Sequence, residues 1–338
     1  MGDLPNPLPP RAVILGFVTG MWAAQAVATV ARLGIPDQLA HGPCSASELA
    51  HVVGASPSAL YRLLRGVAAI GVLRADAHGR FSLTPVGECL RSDVSESMRS
   101  LVIAEMAPDH WHPWGNLENR VRKDKSSFKS ALSVPVWDRK SSQQQQYFAE
   151  AISGGATMAI QSVLISYSFA GARNVIDVGG LHGAFVAAVL QRERAASGVL
   201  FDLADVITGA GLTLKAAGVA ERVECVAGSF FEGVPAGGDV YLLRHVLHDW
   251  SDEECVKLLR NVRKAMSHDG RVIVVEMLII DDGPPSTAPL LDLDMLVMHA
   301  GKERTAQEYG ALFASAGLKL TNVVSTPSVY TVLEARVA

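Results

Sequence analysis

The chain has 338 residues, 49% of them hydrophobic, and a formal net charge of −4. That composition excludes a disordered chain, and the length predicts two domains. Four cysteines, Cys44, Cys89, Cys225 and Cys255, form no C-x-x-C pair, so neither a zinc site nor a disulfide framework is expected, and a reduced, cytoplasmic protein is.

Residues 12–31 carry no charge and include Gly16-x-x-x-Gly20, a pattern that also pairs membrane helices. Thr19, Gln25, Thr29 and many alanines dilute the stretch, and it leads directly into Leu33-Gly-Ile-Pro-Asp. A buried or dimer-forming helix, with no membrane partner, is the reading. From Ser45 to Gly87 the pattern is a small helical module. Ser45-x-x-Glu48 is a capping box, Ser56-Pro57 opens a second helix, and Tyr61, Leu64, Val67 and Ala68 recur at helical spacing. Gly71-Val-Leu and Phe81-Ser-Leu, separated by Asp76-Ala-His-Gly79, read as a two-stranded wing. Such a winged helix binds DNA through a basic face, yet residues 1–100 hold eight arginines, no lysine and seven acids. A structural role, without nucleic acid, is therefore expected.

Residues 101–155 read as a helical linker rich in rings, with Trp111, Trp114, Trp137, Tyr147 and Phe148. Beyond Gly171 strands and helices alternate: Asn174 to Val178, a helix from Gly183, Gly198 to Leu203, a helix, Arg222 to Val226, and Asp239 to Leu243. This order predicts an α/β domain with a parallel sheet over residues 156–338. Ser251-Asp-Glu-Glu254 is a second capping box, opening a helix that Gly270 is expected to end, and Arg271 to Glu276 is the next strand. Leu318 to Val324 and Val329 to Ala335 are expected to pair antiparallel at the sheet's edge.

Chemistry concentrates in two places. After the first strand of the α/β domain comes Asp177-Val-Gly-Gly-Leu-His-Gly183, and the next strand ends at Asp202 and Leu203, near the spacing at which a ribose-binding carboxylate is expected. Asp177 beside Gly179 and Gly180 would repel a pyrophosphate, whereas it suits a cationic partner. S-adenosylmethionine, with a sulfonium, an ammonium and no phosphate, fits better than a dinucleotide. The second place is Tyr241 to Trp250, an apolar strand running straight into Arg244, His245, His248 and Asp249.

With these segments the chain resembles the caffeate and acetylserotonin O-methyltransferase family over nearly its whole length. The matching stretches include Asp177-Val-Gly-Gly, Phe201-Asp-Leu, Gly228-Ser-Phe-Phe, Tyr241 to Trp250, Gly270 to Glu276, Asp292-Leu-Asp-Met-Leu and Gly301-Lys-Glu-Arg-Thr305. The resemblance implies an N-terminal winged-helix dimerisation domain over residues 1–100 and a Rossmann-like class I methyltransferase domain. It implies cofactor contacts at Gly179, Asp202, Phe230 and Arg244, a homodimer, and His248 as general base assisted by Glu276 and Glu303. Two departures stand out: Leu181 occupies the place of a third glycine, and Ser229 that of an aspartate at the adenine end. Weaker cofactor binding is the expected result.

A phenol, with an unperturbed pKa of about 10, must lose its proton as a methyl group arrives, and an imidazole at position 248 suits that task. His245, still within the apolar run, is expected to pack in the core, and Asp249 to brace the following turn. Phe148, Ile152, Met295, Met298 and His299 are the candidates for a substrate wall. No His/Asp/Glu set with ligand spacing accompanies the glycine loop, so no metal is expected. The reading is an S-adenosylmethionine-dependent O-methyltransferase acting on an aromatic or polyketide-like small molecule in secondary metabolism. Its rivals are a relative of the same fold diverged to hydroxylation, decarboxylation or cyclisation, and a winged-helix regulator.

Overall fold

The structure is a computed structural model and describes residues 8–94, 97–122, 159–281, 283, 286–298 and 301–338. The described residues up to Gly115 form one compact unit and those from Asn116 onward another.

The first unit is mainly helical. A 23-residue helix, Pro10–Arg32, starts on a proline, whose missing N–H is no loss in a first turn. Ser45 and Glu48 close the expected capping box on Ala46–Val53, which ends on Gly54 at a left-handed φ of 66°. Pro57–Ala69 follows, and its Leu60, Leu64 and Val67 bury against Ile35, Leu49 and Phe81. The wing is present as β2 (Leu73–Ala75) and β3 (Arg80–Leu83), joined by the short β1 (Cys44–Ser45) in the order β1-β3-β2. The uncharged helix is long and apolar enough to cross a membrane, and little of it is buried. Ile14, Leu15, Phe17, Val18 and Trp22 form an exposed apolar stripe along it.

In the second unit seven strands make one sheet: β4 (Asn174–Val178), β5 (Ser197–Asp202), β6 (Val223–Ala227), β7 (Val240–Arg244), β8 (Arg271–Met277), β9 (Leu318–Ser325) and β10 (Tyr330–Val337). Their order is β6-β5-β4-β7-β8-β10-β9, parallel from β6 to β8. β10 runs antiparallel to both neighbours, so the expected terminal pair closes the sheet with β9 outermost. Both faces of the central strands are covered, which is why β4, β7 and β8 are buried at nearly every position. Val175, Leu242 and Ile273 pack on one side with Phe185, Val186 and Leu190. Ile176, Leu243 and Val274 pack on the other with Leu258, Leu259, Val262 and Phe313.

The helix after β7, Asp252–Ala265, opens on the Ser251–Glu254 capping box. It stops earlier than expected: Met266 is already extended, and Gly270 closes the next turn by donating its N–H to the Ser267 carbonyl. Ser251 Oγ accepts from Glu254 N–H at 3.3 Å, and Glu254 Oε2 accepts from Ser251 N–H at 3.0 Å. Ser251→Ala removes this cap. It is expected to lower stability by about 1 kcal/mol, measured as an earlier urea midpoint with an unchanged slope.

Candidate active site

Strand order reverses at β4, which has β5 on one side and β7 on the other. In open α/β sheets a ligand crevice opens beyond the carboxyl ends of the strands at such a point. Here those ends carry the glycine loop, after β4, and the His245–His248 segment, after β7.

The loop is built for close approach. Gly179 has a φ of 69°, and a side chain on Gly180 would meet the Asp177 carboxyl group and Leu200 at 2.6 Å. Leu181 adopts the glycine-like φ of 53°, a conformation that costs a non-glycine residue roughly 1–2 kcal/mol. Its N–H donates to Asp202 Oδ2 at 2.9 Å, while Asp202 Oδ1 accepts from Leu203 N–H at 2.7 Å. The loop therefore keeps its turn without the third glycine. Asp177 is 1% exposed, and its Oδ2 accepts from Val186 N–H at 3.0 Å in the first turn of Ala184–Arg192. Burial pushes its pKa up to about 6. The sequence placed this carboxylate against the cofactor's positive groups; it lies beneath the loop instead and anchors a helix N-terminus, where the backbone dipole favours negative charge.

Asp202 is itself largely buried, and burial raises its pKa. Gly228 donates its N–H to the Asp202 carbonyl at 3.0 Å and packs on Phe201, leaving no room for a side chain. Ser229 Oγ accepts from Phe231 N–H at 3.3 Å, so the hydroxyl that replaces the family's aspartate serves the turn. Phe230 lies edge-on to Phe231 and Trp250, with ring centroids 4.8 and 5.8 Å away. Arg244, at the end of β7, has its pKa lowered by burial, with Asp177 and Glu276 pulling the other way. Among the described residues nothing pairs with its guanidinium.

His248 is 7% exposed on a short 3-10 turn, Leu247–Asp249. Its Nδ1 lies 2.7 Å from Glu303 Oε1, and its Nε2 lies 3.6 Å from Asp249 Oδ1. Burial works against the charged imidazole, but Asp249, Glu276 and Glu303 together overcome it and push the pKa up to about 10. Glu276, 0% exposed, departs from its expected hold on the imidazole. Its Oε1 accepts from Val246 N–H at 3.2 Å and Leu247 N–H at 3.0 Å, because the turn presents two backbone donors that no strand satisfies. Burial raises the Glu276 pKa, and the neighbouring imidazole opposes that rise. His245 holds a φ of 51°, and its ring stands edge-on to His248 at 4.7 Å and to Tyr330 at 4.9 Å.

The segment Gly301 to Thr305 locks this arrangement. A side chain on Gly301 would fall 1.7 Å from the His248 carbonyl oxygen, so only glycine lets the two backbones meet. Glu303 is 2% exposed, and its N–H donates to Asp292 Oδ1 at 2.9 Å. Arg304 is fully buried, with all five donors engaged. Nε and Nη2 reach Asp252 Oδ1, Nη2 also reaches the Trp250 carbonyl, and Nη1 reaches the carbonyls of Leu247 and Lys302, all at 2.7–3.1 Å. The guanidinium thus brackets the turn that carries His248.

Residues 114–319 match the O-methyltransferase domain and residues 15–93 the O-methyltransferase dimerisation domain. The chain belongs to the O-methyltransferase family. It is similar to the phenazine O-methyltransferase of Lysobacter antibioticus, at 35% identity over 97% of each chain. It is also similar to the mitomycin biosynthesis 6-O-methyltransferase of Streptomyces lavendulae, at 34% identity over 90% of this chain and 88% of the other. The solved structure of a mitomycin 7-O-methyltransferase superposes with a TM-score of 0.91 at 32% identity, over 97% of this chain and 98% of its own. An O-methyltransferase of neocarzinostatin biosynthesis, solved with S-adenosylmethionine and 2-hydroxy-5-methyl naphthoic acid, superposes at 0.75 with 28% identity, over 93% and 96%.

Of the residues expected to wall the substrate of this O-methyltransferase, only two lie among the described residues. On the Ala288–Met298 helix Met295 is buried and Met298 half-buried. Phe148, Ile152 and His299 lie outside the described residues. In the sequence Gly301 and Arg304 carry no signal beyond their motif and Asp249 reads as a turn brace, because three charges within five residues suggest a solvated surface. Gly301→Ala is expected to displace the His248 backbone and cut turnover at least tenfold. Arg304→Lys, losing most of five hydrogen bonds, is expected to lower stability by about 2–4 kcal/mol. Urea unfolding beside steady-state kinetics checks both; wild-type turnover in Gly301→Ala would contradict the packing argument.

Proposed function

We propose that this O-methyltransferase transfers the methyl group of S-adenosylmethionine to a hydroxyl of an aromatic or polyketide-like small molecule, with His248 as general base. The 2.7 Å bond between His248 Nδ1 and Glu303 carries the reading. Donation from Nδ1–H to that carboxylate leaves Nε2 as the proton acceptor, the same orienting logic found in other histidine-based sites.

The residues present suit the donor. The unpaired guanidinium of Arg244 matches its carboxylate, Asp202 at the end of β5 keeps lone pairs for ribose hydroxyls, and Gly179 and Gly180 let a ligand approach the backbone. When bound, that donor supplies an electrophilic methyl group on a positive sulfur. His248 Nε2 would take the proton of the acceptor's hydroxyl as that methyl group reached its oxygen. The names of similar proteins, which refer to phenazine, mitomycin and a naphthoate, support a fused aromatic acceptor. All but Ile14 of the exposed apolar stripe on Pro10–Arg32 falls within the matched dimerisation region, which supports a homodimer.

His248→Ala is expected to lower turnover by about 10²- to 10⁴-fold with donor affinity nearly unchanged. Assays with isotopically labelled donor and hydroxylated polycyclic acceptors, beside calorimetry, measure both; equal activity in the variant removes the base. The pH dependence follows from the raised imidazole. Only neutral His248 accepts a proton, and its pKa lies at about 10. Thus kcat/KM is expected to climb about tenfold per pH unit from neutrality toward pH 10. Asp249 is the largest of the carboxylate influences raising that pKa. Asp249→Asn is therefore expected to move the rise to lower pH, which titration of the acceptor itself would not do.

A further inference from the structure

Among the described residues, three buried polar atoms around the base have no hydrogen-bond partner, His245 Nε2, Glu276 Oε2 and Glu303 Oε2, and the first two belong to side chains that group with His248. Leaving such groups unpaired costs roughly 1–3 kcal/mol each, so a native protein that keeps two of them together invites a ligand. His245, His248 and Glu276 each offer one ligand atom, and these lie within 4.8 Å of one another. We propose that His245, His248 and Glu276 bind a divalent transition-metal cation of the zinc type, and that this ion blocks the enzyme by occupying the lone pair His248 needs.

The donor types decide which ion. Two imidazoles and one carboxylate match zinc-type sites that keep an open fourth position, whereas magnesium and calcium select oxygen donors. Glu303 on His248 Nδ1 at 2.7 Å supplies the outer carboxylate that metal-bound histidines ordinarily have, and it turns Nε2 away from itself. The surroundings carry charge to match, since Asp249, Glu276 and Glu303 all border the imidazole. Metal–ligand bonds of about 2.0–2.2 Å keep donors round one ion no more than about 4.4 Å apart. The triangle therefore has to contract slightly. Glu276 can supply that movement, because Oε1 alone holds the Val246 and Leu247 amides while Oε2 has no bond to break. The sequence hid this set because His245 lies in an apolar run and Glu276 comes from the neighbouring strand.

The blocking effect rests on the assignment of His248 as base; the binding itself does not. The test uses the full-length protein, stripped with EDTA and dialysed, with zinc sulfate as the only probe. Titration against a chromophoric chelator should find a site of one ion per chain, and zinc-edge X-ray absorption should show nitrogen and oxygen at about 2.0–2.1 Å with imidazole scattering. Sulfur at about 2.3 Å would assign the ion to the exposed thiols of Cys89 or Cys225 and overturn the proposal, as would no binding at tens of micromolar free zinc. His245→Phe keeps a ring against His248 and Tyr330 but removes the nitrogen. It should weaken zinc binding at least tenfold, and undiminished binding in a variant with a wild-type melting profile overturns the site. Absorption on the unmodified protein stays decisive if that variant does not fold. Zinc should suppress turnover relative to each protein's own metal-free rate, reversibly with EDTA, in the wild type but not in His245→Phe. Zinc bound at the site with turnover intact would overturn the block and the base assignment together, whereas absent binding with an inactive His248→Ala would overturn the metal site and leave the base standing.

Discussion

A buried imidazole among three carboxylates is the constraint on which the rest of this enzyme depends. Burial by itself would keep His248 neutral and weakly basic. Asp249 beside Nε2, Glu303 on Nδ1 and Glu276 beneath the turn reverse that preference and favour the charged imidazole. For the proposed transfer, a raised imidazole pKa would suit an acceptor as reluctant as a phenol, because proton transfer between groups of similar pKa is nearly balanced. The same concentration of negative charge cannot stand without support, since each carboxylate is also short of solvent.

That support comes from the backbone. Glu276 spends one oxygen on two amide donors, and Asp292 receives the N–H of Glu303. Arg304 adds a buried positive charge whose five donors are all used, so its own burial leaves none of its donors unpaired. The device is geometric as much as electrostatic: the guanidinium holds the carbonyls of Leu247 and Trp250 on either side of His248. Gly301 then lets the whole segment close on the His248 carbonyl. Strain collects at the same edge, with Leu181 and His245 both held at positive φ. Non-glycine residues persist in that region only where neighbours over-determine them, as the Asp202 carboxylate does for Leu181 and strand β8 does for the His245 N–H.

Much of this was legible in the sequence, and the reasons are specific. The central strands read clearly because both faces bury, so Asn174 to Val178 and Arg271 to Met277 are mainly apolar, with few polar residues between them. Both capping boxes and the wing read clearly because they are local chemistry, a hydroxyl three residues before a glutamate, or a turn of Asp and Gly between β-branched and aromatic runs. Asp177 misled because charge in a sequence carries no direction; its carboxylate points into the helix behind it. Glu276 misled for a related reason. Its neighbours in space are backbone amides of another strand's extension, and amides leave no mark in a sequence. Arg304 hid among charges that usually mean surface, where only folding reveals that all of its donors turn inward.

The two halves of the site rest on separate supports, and that separation has a chemical logic. The glycine loop, Asp202 and the Ala184–Arg192 helix belong to β4 and β5, while His248, Glu276 and the Gly301 to Thr305 segment belong to β7, β8 and the chain beyond. They meet where β4 adjoins β7, where Gly179 approaches Val246, and where Phe230 stands edge-on to Trp250. Leu181 and Ser229 both depart from the family's usual residue, and both are absorbed by bonds within the loop's own half. No comparable departure occurs at His248, Glu276 or Glu303. In the proposed reaction, loosening the donor loop would change how tightly a whole molecule is held, a graded quantity, whereas shifting His248 by a single ångström would change whether a proton can be taken at all. The half that tolerates substitution is the one whose function is graded.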